Sequence, residues 1–286
     1  MTQSTPATDA PEQVTVRGGL ATIGPELLGL RAALEERFTR WAAECGALPT
    51  QYPPLMRVED LHRLDYFHNF PQLAILGSGL DTAAADRYAK TGAPDGEIPA
   101  VDLSPANYAL PSAACYNIYL DLAGSTLAQS RKITTVATCF RRETHYDALR
   151  RLLSFSMREI VCVGERDAVL EHIRSFKGII GSYLESLGLP VEVEAATDPF
   201  FDSSASRALT AKLFPVKEEF VFDGSLAIAS VNFHRNFFGE RCDMRIASGE
   251  HAFSGCVAFG IERWISALTQ HFGETPGELS KRVLAS

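Results

Sequence analysis

No apolar run in this 286-residue chain approaches the length of a membrane-spanning helix, so no membrane association is expected. The opening residues, MTQSTPATDAPEQ, hold no basic segment followed by an apolar one, which argues against a secretory signal. Six cysteines without a CxxC pair argue against a disulfide framework. The expectation is a cytoplasmic protein with reduced thiols, each by default a small buried hydrophobe. Positive charge is also in short supply: Lys and Arg number 27 against 35 Asp and Glu, a net charge of −8. That weighs against a broad nucleic-acid surface, though not against a local basic pocket for a nucleotide. There is no internal repeat.

What is present is ordinary soluble-protein material, 46% hydrophobic and 22% charged, enough for one large domain or one and a half. Residues 1–24 read as a polar, frayed leader. Leu27, Leu30, Leu34, Phe38, Trp41 and Cys45 then advance by three and four, predicting an amphipathic helix that Gly46 ends. Residues 48–56 follow as an extended segment; Pro53 and Pro54 make it an edge strand or an interface segment. Residues 58–76 suggest a short helix and an aromatic loop, and 78–101 a mobile loop or lid. Residues 108–119 form a turn leading into a strand or helix start.

Charge falls where a core strand should be apolar in residues 134–164, which read as two strands joined by a cationic loop. Residues two apart share a strand face, so Arg141 and Glu143 point together and Phe140 points away. Ionised groups are rarely buried without a partner. This face therefore carries an internal ion pair or lines a polar site, and spacing leaves both open. The loop adds Arg150 and Arg151, and the return strand adds Glu159. A second amphipathic helix spans 166–187 and closes at Gly188, with Arg174 and Lys177 on its polar side. Strand-like runs follow at 191–195, 219–222 and 226–233, and a glycine-bounded strand from Gly255 passes into a helix carrying Glu262 and Arg263. Antiparallel strands with segregated helices indicate an α+β domain.

Three of these pieces resemble, in order, the motifs of class II aminoacyl-tRNA synthetases. The helix, Gly46 and Pro53/Pro54 resemble motif 1 (about 25–56), which forms the dimer. Phe140-Arg141-x-Glu143, the loop with Arg151, Phe155 and Glu159 resembles motif 2 (134–164). Gly255 through Arg263 resembles motif 3 (254–272). The resemblance implies one catalytic domain over 25–286, with 166–187 as an extra helix. Within the class the chain is similar to zinc-dependent, archaeal-type seryl-tRNA synthetases, whose zinc ligands fall at Cys115, Glu159 and Cys256 here. Two departures stand out. The catalytic core begins within two dozen residues, so no coiled-coil tRNA arm is expected, and the serine-reading Thr-Ala-Glu is replaced by Ser112-Ala113-Ala114. Both departures are shared by amino acid:[carrier protein] ligases, truncated homologues of those synthetases.

The resemblance implies ATP-dependent adenylation of glycine or alanine and transfer to the phosphopantetheine of a small acidic carrier protein, without tRNA, by a homodimer. It implies that Arg141 holds the α-phosphate and the attacking carboxylate, and Arg263 the γ-phosphate. Glu143 would meet the adenine or ribose side, Arg151 in the loop would cover the phosphates or base, Leu152 would also bind the nucleotide, and Glu219, Ala227 and Ser230 would hold the ATP with its Mg2+. One Zn2+ per subunit on Cys115, Glu159 and Cys256 would keep a position open for the substrate amine. Cys45, Cys139, Cys162 and Cys242 would be core thiols. Ser112 to Ala114 and 247–249 offer small residues near the zinc, and Phe233, Phe237 and Phe238 would narrow the pocket. Arg174 and Lys177 are a candidate dock for the carrier. The competing expectations are a synthetase core acting on tRNA and a non-catalytic paralogue that binds an amino acid or nucleotide.

Overall fold

A computed structural model describes residues 13–202 and 216–286. The chain opens on β1 (Val14–Arg17) and β2 (Leu20–Ile23), an antiparallel hairpin. Residues 14–23 are thus not frayed leader. Gly18 and Gly19 both take positive φ, 57° and 78°, as a two-residue hairpin turn requires; residues 1–12 lie outside the described residues. Helix α1 (Pro25–Glu44) starts on a proline and buries Leu27, Leu30, Leu34, Phe38 and Trp41, as the spacing predicts.

Next come β3 (Leu48–Pro49), β4 (Met56–Arg57), α2 (Val58–Arg63), α3 (Tyr66–Asn69) and β5 (Ile75–Gly77). The segment read as a loop or lid contains a helix, α4 (Thr82–Thr91), because the Asp81 side chain accepts from Ala83 N and caps it. Then follow β6 (Tyr108–Leu110), α5 (Tyr116–Asp121), β7 (Thr126–Leu127), β8 (Arg131–Phe140), β9 (Ser154–Gly164) and α6 (Arg166–Leu187). The last part holds β10 (Val191–Ala196), β11 (Lys217–Phe222), β12 (Leu226–Arg235), α7 (Phe237–Arg241), β13 (Arg245–Ile246), β14 (Phe253–Gly260), α8 (Ile261–Phe272) and α9 (Pro276–Ala285).

Seven strands make the central sheet, in the order β10-β11-β12-β14-β9-β8-β3. Every pairing in it is antiparallel except β3 with β8, at the edge. Helices cover one face: α1, α6, α8 and α9 supply the main core with Ile160, Val257 and Phe259 from the strands. Phe38 stacks on Phe259 at 4.1 Å, and Trp264 meets Phe38 edge-on at 5.4 Å. Gly255 is where α6 crosses β14: a Cβ there would lie 2.8 Å from Ile173 Cδ1 and 2.9 Å from Val169 Cγ1.

Strand alternation splits the charges of β9 between the two faces. Arg158 turns to the helices and pairs with Glu35 of α1 at 2.6 Å, while Glu159 turns to the opposite, open face. The expectation of an ion pair or a polar site concerns Arg141 and Glu143, which lie beyond the end of β8 at Phe140 and so share no strand face; the buried ion pair is Arg158 with Glu35, behind β9.

Behind the sheet, α6 carries His172, buried with its ring Nε2 3.2 Å from the carbonyl of Ile160. Burial pushes its pKa down from 6.5 to about 4. The folded protein keeps it neutral where the unfolded chain takes up a proton. Its contribution is therefore intact above pH 6.5 and is lost as pH falls from 6.5 towards about 4, by roughly 3 kcal/mol in total. Urea unfolding of the wild type and of His172→Phe across that range should diverge by this amount; parallel curves would show that His172 titrates normally.

Candidate active site

Three buried ligand-bearing side chains meet on the open face of the sheet. Glu159 comes from mid-β9, Cys256 from β14 and Cys115 from the residue before α5, and their ligand atoms lie within 4.8 Å of one another. The register, Glu159 opposite Ala258 and Val161 opposite Cys256, makes the first two diagonal neighbours on one face. Glu159 Oε1 accepts from Ala114 N at 2.9 Å and Cys115 N at 3.3 Å. Its Oε2 is buried without a hydrogen-bond partner.

A bare buried carboxylate oxygen is costly unless a cation completes it. Burial holds the Glu159 carboxyl above its usual range. The Cys115 thiol is held well above its own, by the hydrogen bond with Cys256 and then by burial. These three groups resist ionising together without a counter-charge and suit one well, since two thiolates and a carboxylate are a donor set for zinc with one position left over. Asn232 Nδ2 donates to Cys256 Sγ at 3.3 Å, and His234 Nε2 lies 3.8 Å from the same sulfur. His234 Nδ1 is 3.2 Å from Tyr119 OH, which fixes the ring's orientation.

A cavity of about 140 Å³ surrounds the cluster, walled by Tyr66, Phe70, Tyr116, Phe237 and Phe238. Phe233 is not among its walls. It lines a neighbouring cavity, which Asn232 and His234 border as well, and stacks on Phe253 at 6.0 Å. Residues 247–249 lie outside the cavity too, in a turn closed by Gly249 N donating to Ile246 O. The Ser112 to Ala114 segment acts through its backbone: Ser112 O accepts from Arg141 Nε at 3.1 Å, and Ala114 N holds Glu159.

A second cavity, about 80 Å³, adjoins the first. Arg141, Glu143, Arg151, Leu152, Glu219, Ala227, Ser230 and Arg263 all line it. Arg263 opens α8, and its guanidinium donates to two carbonyls, Arg150 O at 3.0 Å and Ala227 O at 3.1 Å. Desolvation, then the charge of Arg141, push its pKa down to about 10. The Arg141 guanidinium lies 5.0 Å over the Phe155 ring. Neither arginine is in a salt bridge among the described residues, so two cations face one cavity with their charge available to an anion. Glu143 and Arg151, by contrast, pair with each other at 3.1 Å.

Asp198, Lys217, Asn232 and His234 also line the amino-acid-sized cavity, and the sequence reading passes over all four. One signal was available: Ser230, Asn232 and His234 alternate as polar residues along an otherwise apolar strand. Arg174 and Lys177, the candidate dock, are ion-paired with Glu171 and, at 2.6 Å, with Glu218. They are not a free basic patch. No described helix is long and apolar enough to cross a membrane.

The chain matches no protein-family model. It is 33% identical over 244 residues to amino acid–[acyl-carrier-protein] ligase 1 of Bradyrhizobium diazoefficiens, an alignment spanning 80% of this chain and 73% of that one. To ligase 2 of the same organism it is 33% identical over 274 residues, spanning 87% and 79%. It superposes on M. kandleri SerRS, solved with A. aeolicus tRNASec, with a TM-score of 0.81 at 21% identity. That match covers 95% of this chain and 57% of the synthetase chain, and it shows a common class II synthetase-like fold.

Proposed function

Because the chain belongs to the amino acid–[acyl-carrier-protein] ligase family, we propose that it activates glycine or alanine with ATP and loads it on the phosphopantetheine thiol of a carrier protein. The observation that carries this reading is the adjacency of the two cavities, one ringed by cations and one holding the Cys115, Glu159 and Cys256 cluster, with Arg141 lining both.

In the first half-reaction an amino-acid carboxylate oxygen attacks the α-phosphorus of ATP. The bond from that phosphorus to the bridging oxygen breaks, and pyrophosphate leaves with Mg2+. Arg141 would neutralise the carboxylate and α-phosphate, and Arg263 the departing end. Glu219 would help hold the magnesium, and the Glu143 and Arg151 pair would close the nucleotide side. Cys115, Glu159 and Cys256 would hold a zinc ion, whose chemistry when bound is to take a deprotonated amine as ligand. In the second half-reaction the carrier thiol attacks the carbonyl carbon, AMP leaves, and the thiol proton passes to water.

Size supports a small substrate, since the amino-acid cavity is well below the roughly 300–1,000 Å³ of drug-sized pockets. One methyl group is worth only about 1–3 kcal/mol of discrimination, so glycine and alanine should both react, at different rates. The edge position of β3 and the 65% exposure of Leu48 on it support a second copy docking along motif 1.

The test is amino-acid-dependent pyrophosphate exchange with glycine, alanine and serine, followed by transfer of labelled amino acid to a phosphopantetheinylated carrier or to tRNA. Exchange with a small amino acid and labelling of the carrier alone is the expected result. Labelling of tRNA would make the protein a synthetase core, and no exchange at all would make it a non-catalytic binder.

A further inference from the structure

The two cavities share five lining residues, Arg141, Met157, Lys217, Ser230 and Ala258, and only Arg141 and Lys217 among them are charged. Adenylation joins a carboxylate held in one cavity to a phosphorus held in the other, so whatever lines both adjoins the reacting atoms. We propose that Lys217 is a second catalytic cation, donating to the α-phosphate and the attacking carboxylate as negative charge gathers between them.

Its setting suits that task. Lys217 opens β11 and is held on both sides, opposite Ala196 of β10 and Asn232 of β12, so its backbone is fixed by the sheet. Nζ lies 3.1 Å from Asp198 Oδ1 and 2.9 Å from Glu219 Oε1. Asp198 lines the amino-acid cavity and Glu219 the nucleotide cavity, so the ammonium is strung between the two. An ammonium has three N–H donors, and two acceptors leave one for a substrate oxygen. A lysine that served only to pin the 197–202 segment would have no need of Glu219 or of a place in the nucleotide cavity.

The inference rests on the adenylation reading, and the experiment separates the two. Single-turnover formation of glycyl- or alanyl-adenylate is followed in the zinc-loaded protein, with ATP dissociation constants and melting temperatures measured on the same samples. Lys217→Met should slow adenylate formation by about 100-fold or more, the loss typical of a removed transition-state donor, with ATP affinity changed only a few-fold. Lys217→Arg should recover part of the rate, because it restores the charge but not its position. Should the Met variant fail to fold, Lys217→Gln reads the same quantity, since it keeps hydrogen bonds to both carboxylates without the charge. Adenylate formation within about tenfold of wild type in the folded neutral variant overturns the proposal, as does a loss accounted for by weaker ATP binding. Wild-type protein that forms no adenylate with any small amino acid overturns the adenylation reading itself, and the role of Lys217 with it.

Discussion

Arg141→Ala should lower amino-acid-dependent pyrophosphate exchange by about 10³-fold or more without unfolding the protein. The guanidinium is fixed from two sides, by Nε donating to Ser112 O at 3.1 Å and by the Phe155 ring 5.0 Å beneath it. That geometry commits one donor and leaves the outer nitrogens for a ligand. No salt bridge to Arg141 exists among the described residues, so its removal strands no buried carboxylate and the cost to stability is small. Arg141→Lys should recover little, because an ammonium cannot keep the Ser112 bond and the ring contact while spanning two oxygens. The check is steady-state exchange with a melting curve on each variant. Activity within tenfold of wild type for Arg141→Ala would remove this residue from the chemistry and leave Arg263 and Lys217 to carry it.

Helices α1 and α6 were legible because their apolar positions repeat at helical spacing. Helix α1 buries the predicted face, whereas of Leu170, Ile173, Lys177, Ile180, Leu184 and Leu187 on α6 only the last three are buried, the first half of the helix burying Val169, His172 and Phe176 instead. The front of the sheet was legible where charge interrupts an apolar strand, as at Glu159. Three kinds of feature were not. The Val14–Ile23 hairpin follows from Gly18-Gly19 flanked by alternating residues, a turn signal overshadowed by the polar residues ahead of it. The roles of Ser112 and Ala114 were hidden because they act through backbone groups, and substitution at Cβ says nothing of a carbonyl or an amide. Asp198 and Lys217 could not be linked at all: a surface carboxylate and a strand-end lysine acquire meaning only when β10 and β11 pair and bring them to 3.1 Å. Sequence distance also misled in the other direction, since Phe233 lies between Asn232 and His234 yet is absent from the amino-acid cavity that both of them line.

Cys256→Ser should abolish stoichiometric zinc binding and, with it, exchange. Zinc affinity depends on ligand softness and charge, and a serine hydroxyl replaces a thiolate with a neutral, poorer donor. Losing an outer partner of a metal ligand costs roughly 10–100-fold in affinity, and losing a ligand should cost more. Cys256 is also the thiol to which Asn232 donates at 3.3 Å, so the network that steadies the site goes with it. Cys45→Ser is the matched control, since Cys45 sits at the end of α1 with its Sγ donating to Ala42 O at 3.2 Å, remote from the cluster. Metal analysis of the purified proteins should give one zinc per chain for the wild type and the control and near none for Cys256→Ser. Chelator treatment of the wild type should reproduce the loss, and added zinc should reverse it. A wild type that turns over at full rate after complete metal removal would reduce Cys115, Glu159 and Cys256 to a buried polar cluster, with Glu159 in the protonated form that burial favours.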